Sequence, residues 1–400
     1  MAFVGSRLRD ARLARGLTAS ALAERVGISP GAISQHELHD VEPHAKTLTK
    51  IAEELDLPET YFLRAGIPKD PAHHWYRSQS AATKRARESA QARHAWLRDI
   101  VAQVQRKIDF PQNSIAAVKP PSDPLALSAN SIESIASDLR AEWKLGSGPI
   151  SNTISLLEML GCIVGVFAFG ADELSAFSQF ASDRPYVILN AEESAGARLR
   201  FNAAHELAHL VLHRDVPSQK ALAPAIHKQL EQQAHRFAGA FLFPSRSFAE
   251  EVYSTSLDAL QQVKKRWRVS MQMMIRRAYD LEMISEDRYS RAFRELSRRG
   301  FRMKEPLDDS LPVEKPKMLA KSINLMIDSR TISREDLIHE IALSKTDIEI
   351  LAALPRGYLE SEQWGEVTDI KLRTESVQAG ILNTTGSGSG QIIPFRVKLS

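Results

Sequence analysis

A single cysteine stands in 400 residues. Cys162 has no second thiol to pair with, so the disulfide-stapled secreted folds are excluded and a reducing compartment is the natural fit. Long hydrophobic runs are missing as well. A membrane-spanning helix needs roughly 18–20 apolar residues, whereas the most apolar stretch, "GCIVGVFAFG" at 161–170, is short and broken by glycine. It reads as a buried strand, with Cys162 in the core. The opening "MAFVGSRLRDARLARG" is charged throughout and has neither an apolar h-region nor a cleavage site, so no secretion signal is expected and the cytoplasm is the expected location. An excess of one charge is also lacking. Fifty-two Lys and Arg face 49 Asp and Glu, a net charge of +3, so a polyanion-binding role has to be sought in how charge is distributed. No internal repeat with a period of about 20–50 residues is present.

What is present is the composition of an ordinary globular chain, 43% hydrophobic and 25% charged, in a length sufficient for two or three cores. The first 67 residues are dense in helix signals. Leu8, Leu13 and Leu17 mark a helix ended by Gly16; Thr18 caps "ASALAERVG", closed by Gly27; Ser29 caps "PGAISQHEL", with Pro30 in its first turn. "AKTLTKIAEELDL" and "PETYFLRAG" complete five short helical elements with a tight turn between the second and third, the layout of a helix-turn-helix. The run from Arg7 to Leu57 resembles the phage-repressor type helix-turn-helix of the xenobiotic-response-element family, with Ala21, Leu22, Ala23, Val26, Ile28, Ile33, Glu37, Leu48, Ile51, Ala52 and Leu55 at framework positions. The resemblance implies duplex DNA as a partner, contacted through Ser29, Gly31, Ser34 and Gln35. It departs from the family at Ala19, where a glutamine that reaches DNA is common. Residues 1–70 carry nine Lys or Arg against ten Asp or Glu. Affinity for duplex rests largely on phosphate neutralisation, so a homodimer, or help from a basic segment, is expected.

Two basic segments offer that help. One spans 71–110, with Arg77, Lys84, Arg85, Arg87, Arg93, Arg98, Arg106 and Lys107 against Glu88, Asp99 and Asp109; the other runs from Lys264 to Lys304. Either is equally readable as a solvated helix face. The first predicts a long helix whose apolar Trp96, Leu97, Ile100, Val101 and Val104 pack at one end. "PQNSIAAVKPPSDPLALS" after it is Pro-rich and aperiodic, the strongest linker in the chain, and "EPLDDSLPVEKPK" at 305–317 marks a second boundary. The expected division is a helix-turn-helix domain at 1–67, a helical connector and Pro-rich linker at 68–127, a catalytic domain at 128–305, and C-terminal helices with a β-hairpin around "TTGSGSGQ" at 306–400. The fold class expected is mainly α with a small β-sheet, built on strands at "CIVGVFAF", "LSAFSQF" and "PYVILN".

Chemistry concentrates in "RFNAAHELAHLVLHR" at 200–214. Residues 201–213 lack proline and glycine and are framed by Phe201, Ala203, Ala204, Leu207, Leu210, Val211 and Leu212, which predicts a buried helix. Residues four apart share a helix face, so His205 and His209 project together and can close on one tetrahedral zinc. Glu206 then flanks the open position, placed to take a proton from water and return it to a leaving amine. With 12 histidines in the chain, an H-E-x-x-H arises by chance in about a few per cent of sequences this long. The plain alternative, a buried histidine pair, needs polar partners that the neighbouring residues do not offer. A third ligand is required, and "HKQLEQQAHRFAGAFLFP" offers His227, Glu231 and His235 on one face of a second helix; periodicity leaves all three open. His213 extends the stripe by four more residues and reads as a C-terminal histidine near the negative end of the helix dipole. His36, His39, His44, His73 and His74 read as surface.

"RLRFNAAHELAHLVLH" followed by "EQQAHRFAGAFLFP" resembles the ImmA/IrrE family of zinc metallopeptidases. That resemblance implies a zincin-like domain holding one Zn2+ per chain through His205, His209 and Glu231, with Glu206 as the general base. Ala234, Phe237, Ala238, Leu242 and Pro244 complete its second motif. His235 stands where an asparagine is frequent, which leaves it as a ligand, a group supporting the ligands, or an oxyanion donor. Manganese or iron also suits such a site. Residues 260–300 resemble the winged-helix-like tail that follows the peptidase in this family, and "TISREDLIHEIALS" has a similar look. The function implied is a zinc endopeptidase fused to a helix-turn-helix, cleaving a regulator such as a repressor to control stress or mobile-element genes, with single-stranded DNA as a further candidate partner. The alternatives are a DNA-binding regulator whose zinc domain senses a ligand without cutting, and an interaction module with a vestigial peptidase. Relatives that regulate without proteolysis tend to lose H-E-x-x-H, which is intact here.

Overall fold

A three-stranded sheet separates two cores. The computed structural model describes residues 2–65, 81–171, 174–181, 184–193, 195–360 and 396–397. The central strand, Arg184–Asn190, runs parallel to Ile163–Phe167 and antiparallel to the edge strand Ala176–Ala181. Side chains alternate across a strand with a period of two. Ile163, Phe167, Phe177, Tyr186 and Ile188 accordingly enter one core, while Val164, Ala176, Val187 and Leu189 enter the other. The chain is mainly α-helical with this one small sheet at its centre, plus a short antiparallel pair of Ile108–Asp109 with Arg396–Val397. The expected hairpin at 384–391, together with His73 and His74, lies outside the described residues. No helix among the described residues is long and apolar enough to cross a membrane.

The first core joins the N-terminal helices to the back of the sheet. Helices Gly5–Ala14, Ala19–Val26, Pro30–His39 and Ala45–Glu54 and the 3-10 turn Glu59–Leu63 form where the capping signals place them, with Thr18 and Ser29 accepting from the backbone N–H groups of Ala21 and Ala32. They rest on a long helix, Ala81–Gln105. Its apolar second half packs as the sequence predicts, and Ala86, Ala90 and Ala92 of the first half are buried too. Trp96 donates its indole N–H to the Tyr61 hydroxyl at 2.8 Å. On the opposite side, His94 meets Phe177 and Tyr186 of the sheet, with ring centroids 5.7 and 4.9 Å apart. Leu97 approaches so closely that a Cβ on Gly165 would lie 2.8 Å from its methyl carbon, so any larger residue there would push that side chain aside. The basic residues of this helix are partly committed inward. Arg85 donates to the Gly16 carbonyl at 2.7 Å, and Arg93 donates to Ala14 and Ala168 at 3.2 and 3.0 Å, which caps the carbonyl end of the first helix.

The two segments read as linkers are tied down along their length. Ile115 is buried, and Arg214 donates to its carbonyl at 3.1 Å, so the Pro-rich stretch lies against the second core. At 305–317 the acidic residues serve as caps. Glu305 accepts from Met271 and Gln272 N–H at 2.7 and 3.1 Å, Glu314 accepts from Thr153 and Ile154 at 2.8 and 3.0 Å, and both carboxylates pair with buried cations, Lys264 and Arg200 respectively. Composition marked these stretches as boundaries, but their side chains find partners more than a hundred residues away in the case of Glu314.

The same caps decide what the tail helices do. In the helix-turn-helix look-alike formed by Leu257–Trp267 and Met271–Asp280, the N-terminus that would face DNA is covered by Glu305, and Met271, Met273, Met274 and Ile275 are buried. Helices Arg334–Ile341 and Lys345–Leu351 pack likewise: Asp347 pairs with Arg15 at 2.6 Å, and Ile348 and Leu351 enter the first core. Both pairs are packing elements.

Candidate metal centre

The front of the sheet carries the helix that holds both motif histidines. It runs from Gly196 to Leu212, five residues longer at its start than the sequence expectation. Glycine opens it because a Cβ at Gly196 would lie 2.7 Å from the Pro312 carbonyl oxygen. Leu199, Ala203, Leu207 and Leu210 bury its apolar side, leaving the stripe of His205, His209 and His213 facing a second helix, Pro224–Leu242. Pro224 sits in the first turn of that helix, where its missing N–H costs nothing. Leu230, Ala234, Phe237 and Phe241 turn inward and hold Glu231 and His235 over the stripe.

Three donor groups converge. His205 Nε2 and His209 Nε2 are 3.1 Å apart, and they lie 3.3 and 3.2 Å from the two oxygens of Glu231. A tetrahedral ion with bonds of about 2.0–2.1 Å separates its ligand atoms by about 3.3–3.4 Å. The triangle formed by the two imidazoles and one carboxylate is therefore of the size that a zinc-type ion requires. His205, Glu231 and His235 also keep ligating atoms within 4.8 Å of one another. Of the third-ligand candidates that periodicity left open, Glu231 contacts both histidines and His235 stands beside them, its ring centroid 4.8 Å from that of His205. His227 lines the wider cleft instead.

Charge follows burial. Desolvation lowers the His209 imidazole to about 4 even with Glu231 beside it, so the ring is neutral at ordinary pH. Burial works against the Glu231 carboxylate, but the imidazoles of His205 and His209 beside it outweigh that effect and hold the group well below the usual carboxylate range. Burial pushes Glu206 well above its ordinary value. Its Oε2 has no protein hydrogen-bond partner, and the side chain lines the same small pocket as His205, His209, Glu231 and His235, floored by Ser175 and Ala176 at the head of the edge strand. An anionic carboxylate, the neutral imidazole of His209 and a buried carboxyl with one oxygen unpartnered are together suited to a divalent cation and a water.

His213 departs from the sequence reading. It does end the helix, but it is fully buried, and its ring reaches back to the site: Nδ1 lies 3.0 Å from His209 Nδ1 and Nε2 lies 2.9 Å from Gln233 Oε1. The spacing of four from His209 was a signal for this contact; nothing local in the sequence points to Gln233. Ser178, on the edge strand, donates its hydroxyl to the Glu206 carbonyl oxygen at 3.3 Å and ties the strand to the motif helix. At the far end of the molecule, Ser29, Gly31, Ser34 and Gln35 are all exposed along the third helix, while Ile33 points into the core. Leu38 is 65% exposed on the same helix.

Comparison with known proteins agrees with this division of labour. Residues 8–62 match a helix-turn-helix family model, and residues 161–279, which contain the sheet, both site helices and the first tail helices, match the peptidase family model described as the IrrE N-terminal-like domain. No curated protein matches the chain significantly. The chain thus joins a segment that matches a helix-turn-helix family model to one that matches an IrrE-like peptidase family model, and the cluster of His205, His209 and Glu231 lies within the second.

Proposed function

We propose that the protein is a zinc-dependent endopeptidase that cuts a DNA-associated regulator, such as a repressor, to control stress or mobile-element genes. The observation that carries this reading is the triangle of His205 Nε2, His209 Nε2 and Glu231 beside the buried carboxyl of Glu206, whose Oε2 lacks a protein partner. Zinc held by His205, His209 and Glu231 supplies positive charge that polarises a scissile carbonyl and acidifies water. Glu206 takes a proton from the attacking water as the new C–O bond forms, then delivers it to the amine nitrogen as the C–N bond breaks. His235 borders the same pocket and donates a ring N–H to the developing oxyanion.

The substrate chain lies along the edge strand Ala176–Ala181, adding a strand through main-chain hydrogen bonds. It continues into a cleft of about 910 Å³ between the Glu231 helix and the tail, where Phe201, Tyr289, Phe293 and Arg302 line the wall. Binding to duplex DNA runs through Ser29, Gly31, Ser34 and Gln35. The module's own charge balance is slightly acidic, so a homodimer supplies the second half-site needed for useful affinity.

The test compares new protein N-termini in the native host between wild type and Glu206→Gln, with and without DNA damage. Fragments found only in wild type support the endopeptidase and name its substrate. No difference under any stress, in a variant that still binds zinc, would shift the reading to a DNA-bound zinc sensor that does not cut.

A further inference from the structure

A line of polar atoms runs from the Pro-rich segment to the nitrogen of His209 that faces Glu231. The Gln233 side chain donates its Nε2 to the Pro124 carbonyl oxygen at 3.0 Å. A carbonyl can only accept, so this contact fixes which end of the Gln233 amide is which. Oε1 then points at His213 Nε2, 2.9 Å away, which must carry a proton to meet it. A neutral His213 protonated at Nε2 has a lone pair at Nδ1. That lone pair lies 3.0 Å from His209 Nδ1, which must therefore be the N–H of that contact. His209 Nε2 is left with its lone pair, aimed between His205 and Glu231.

We propose that His213 and Gln233 are positioning residues that set the tautomer and ring orientation of His209, with the carbonyl of Pro124 as the fixed end of the line. The inference rests on the reading of His205, His209 and Glu231 as metal ligands. A histidine ligand held by a hydrogen bond at its other nitrogen binds metal in one protonation state and one orientation, and such partners typically contribute 10–100-fold in metal affinity. Here the partner of the ligand is a second histidine, which accepts from His209 because it donates to an amide. Each link has a defined direction, and reversing any one would put a proton on the ligating nitrogen.

The anchor belongs to a part of the chain outside the matched peptidase segment of 161–279. Pro124 opens a short 3-10 turn that Asp123 caps by accepting from Leu125 N–H at 3.1 Å, and Gln229 donates to the Leu125 carbonyl one helical turn before Gln233. The segment that composition marks as a linker thus supplies the fixed acceptor for the site.

Two measurements on the full chain test this. In metal-free protein with 15N-labelled histidine, long-range proton–nitrogen couplings report which ring nitrogen is protonated. The expected pattern is Nδ1–H on His209 and Nε2–H on His213, and the reverse pattern on either ring overturns the proposal. Zinc affinity, read by competition with a chromophoric chelator, is expected to fall about 10–100-fold in Gln233→Leu. Gln233→Glu keeps the acceptor for His213 but loses the donor to Pro124, so its affinity is expected between those of wild type and Gln233→Leu. Equal affinity in wild type and Gln233→Leu, or equal losses in both variants, would overturn it. Should Gln233→Leu fail to fold, the tautomer spectrum of the wild type and the affinity of Gln233→Glu still decide. A wild type that binds no zinc would sink the metal reading itself, whereas the metal-free spectrum judges the hydrogen-bond line independently.

Discussion

Replacing Glu206 by glutamine should make the metal-free protein more stable while removing its activity. The side chain is buried, its Oε2 lacks a protein partner, and desolvation holds its carboxyl well above its ordinary value of 4.5. A group whose folded pKa is raised contributes stability that is fully present below the unfolded pKa and lost as pH rises through the folded one. The amide does not ionise, so Glu206→Gln is spared that loss. Ionisation removes about 1.4 kcal/mol for each pH unit above the unfolded pKa until the folded one is reached, so the expected gain of the variant at pH 8 is on the order of 1–3 kcal/mol. Near pH 4.5 and below, the two proteins should be alike. At pH 8 the gain corresponds to a melting temperature higher by about 1–4 °C in a chain of this size. Catalysis should move the other way. A missing general base costs about 10²–10⁴ in rate, or about 3–5 kcal/mol of barrier, with zinc content unchanged because Glu206 is not among the three converging donors. Calorimetry of metal-free protein at pH 4.5 and pH 8, with mass-spectrometric scoring of bonds cut in a proteome-derived peptide library, reads both effects. Activity within tenfold of wild type would refute the assignment of the base. A variant less stable than wild type at pH 8 would refute the account of its burial.

Two further outcomes are expected from groups outside the site. Lys264 is fully buried between Glu305 and Asp308, at 2.8 and 2.6 Å; Lys264→Met strands both carboxylates and should lower stability by about 3–5 kcal/mol in urea titration, and a loss under 1 kcal/mol would show that the cluster is not desolvated as described. Burial pushes Glu158 up to about 7 although it accepts from Lys317 and Met318 N–H. Its folded pKa is raised, so its contribution is complete below about 4.5 and disappears between there and pH 7, a change of about 3 kcal/mol. Glu158→Gln should flatten the pH dependence of the melting temperature across that window, and an unchanged slope would assign it to other groups.

The parts of this molecule legible in its sequence are those set by near neighbours. Thr18, Ser29 and Ser128 cap helices from three residues away, and the four-residue spacing of His205 and His209 on one face survives folding unchanged. Choosing among His227, Glu231 and His235 was beyond periodicity, because the angle at which the second helix crosses the first decides which side chain reaches the stripe. The segments at 111–127 and 305–317 carry the composition of linkers because Pro, Asp and Glu suit exposed loops and buried caps alike. Their partners, Arg214, Gln233, Arg200 and Lys264, lie far along the chain. Charge in the basic runs is hard to read for a related reason: Arg85 and Arg93 reach backbone carbonyls and Arg277 pairs with Glu133, so a count of charges overstates what solvent or DNA would meet.

The helix Ala81–Gln105 has the N-terminal module on one side and the sheet on the other. It therefore works as a spar and not as a leash. A protease on a slack tether meets its target at a local concentration set by tether length. Here the separation and bearing between Gln35 and His205 are set by packing, so a target bound beside this protein on DNA would have to arrive at one rotational position around the duplex. Moving the target's binding site by about five base pairs, half a helical turn, would carry it to the opposite side and out of reach. Spacing on the DNA, as much as sequence, would then decide what is cut.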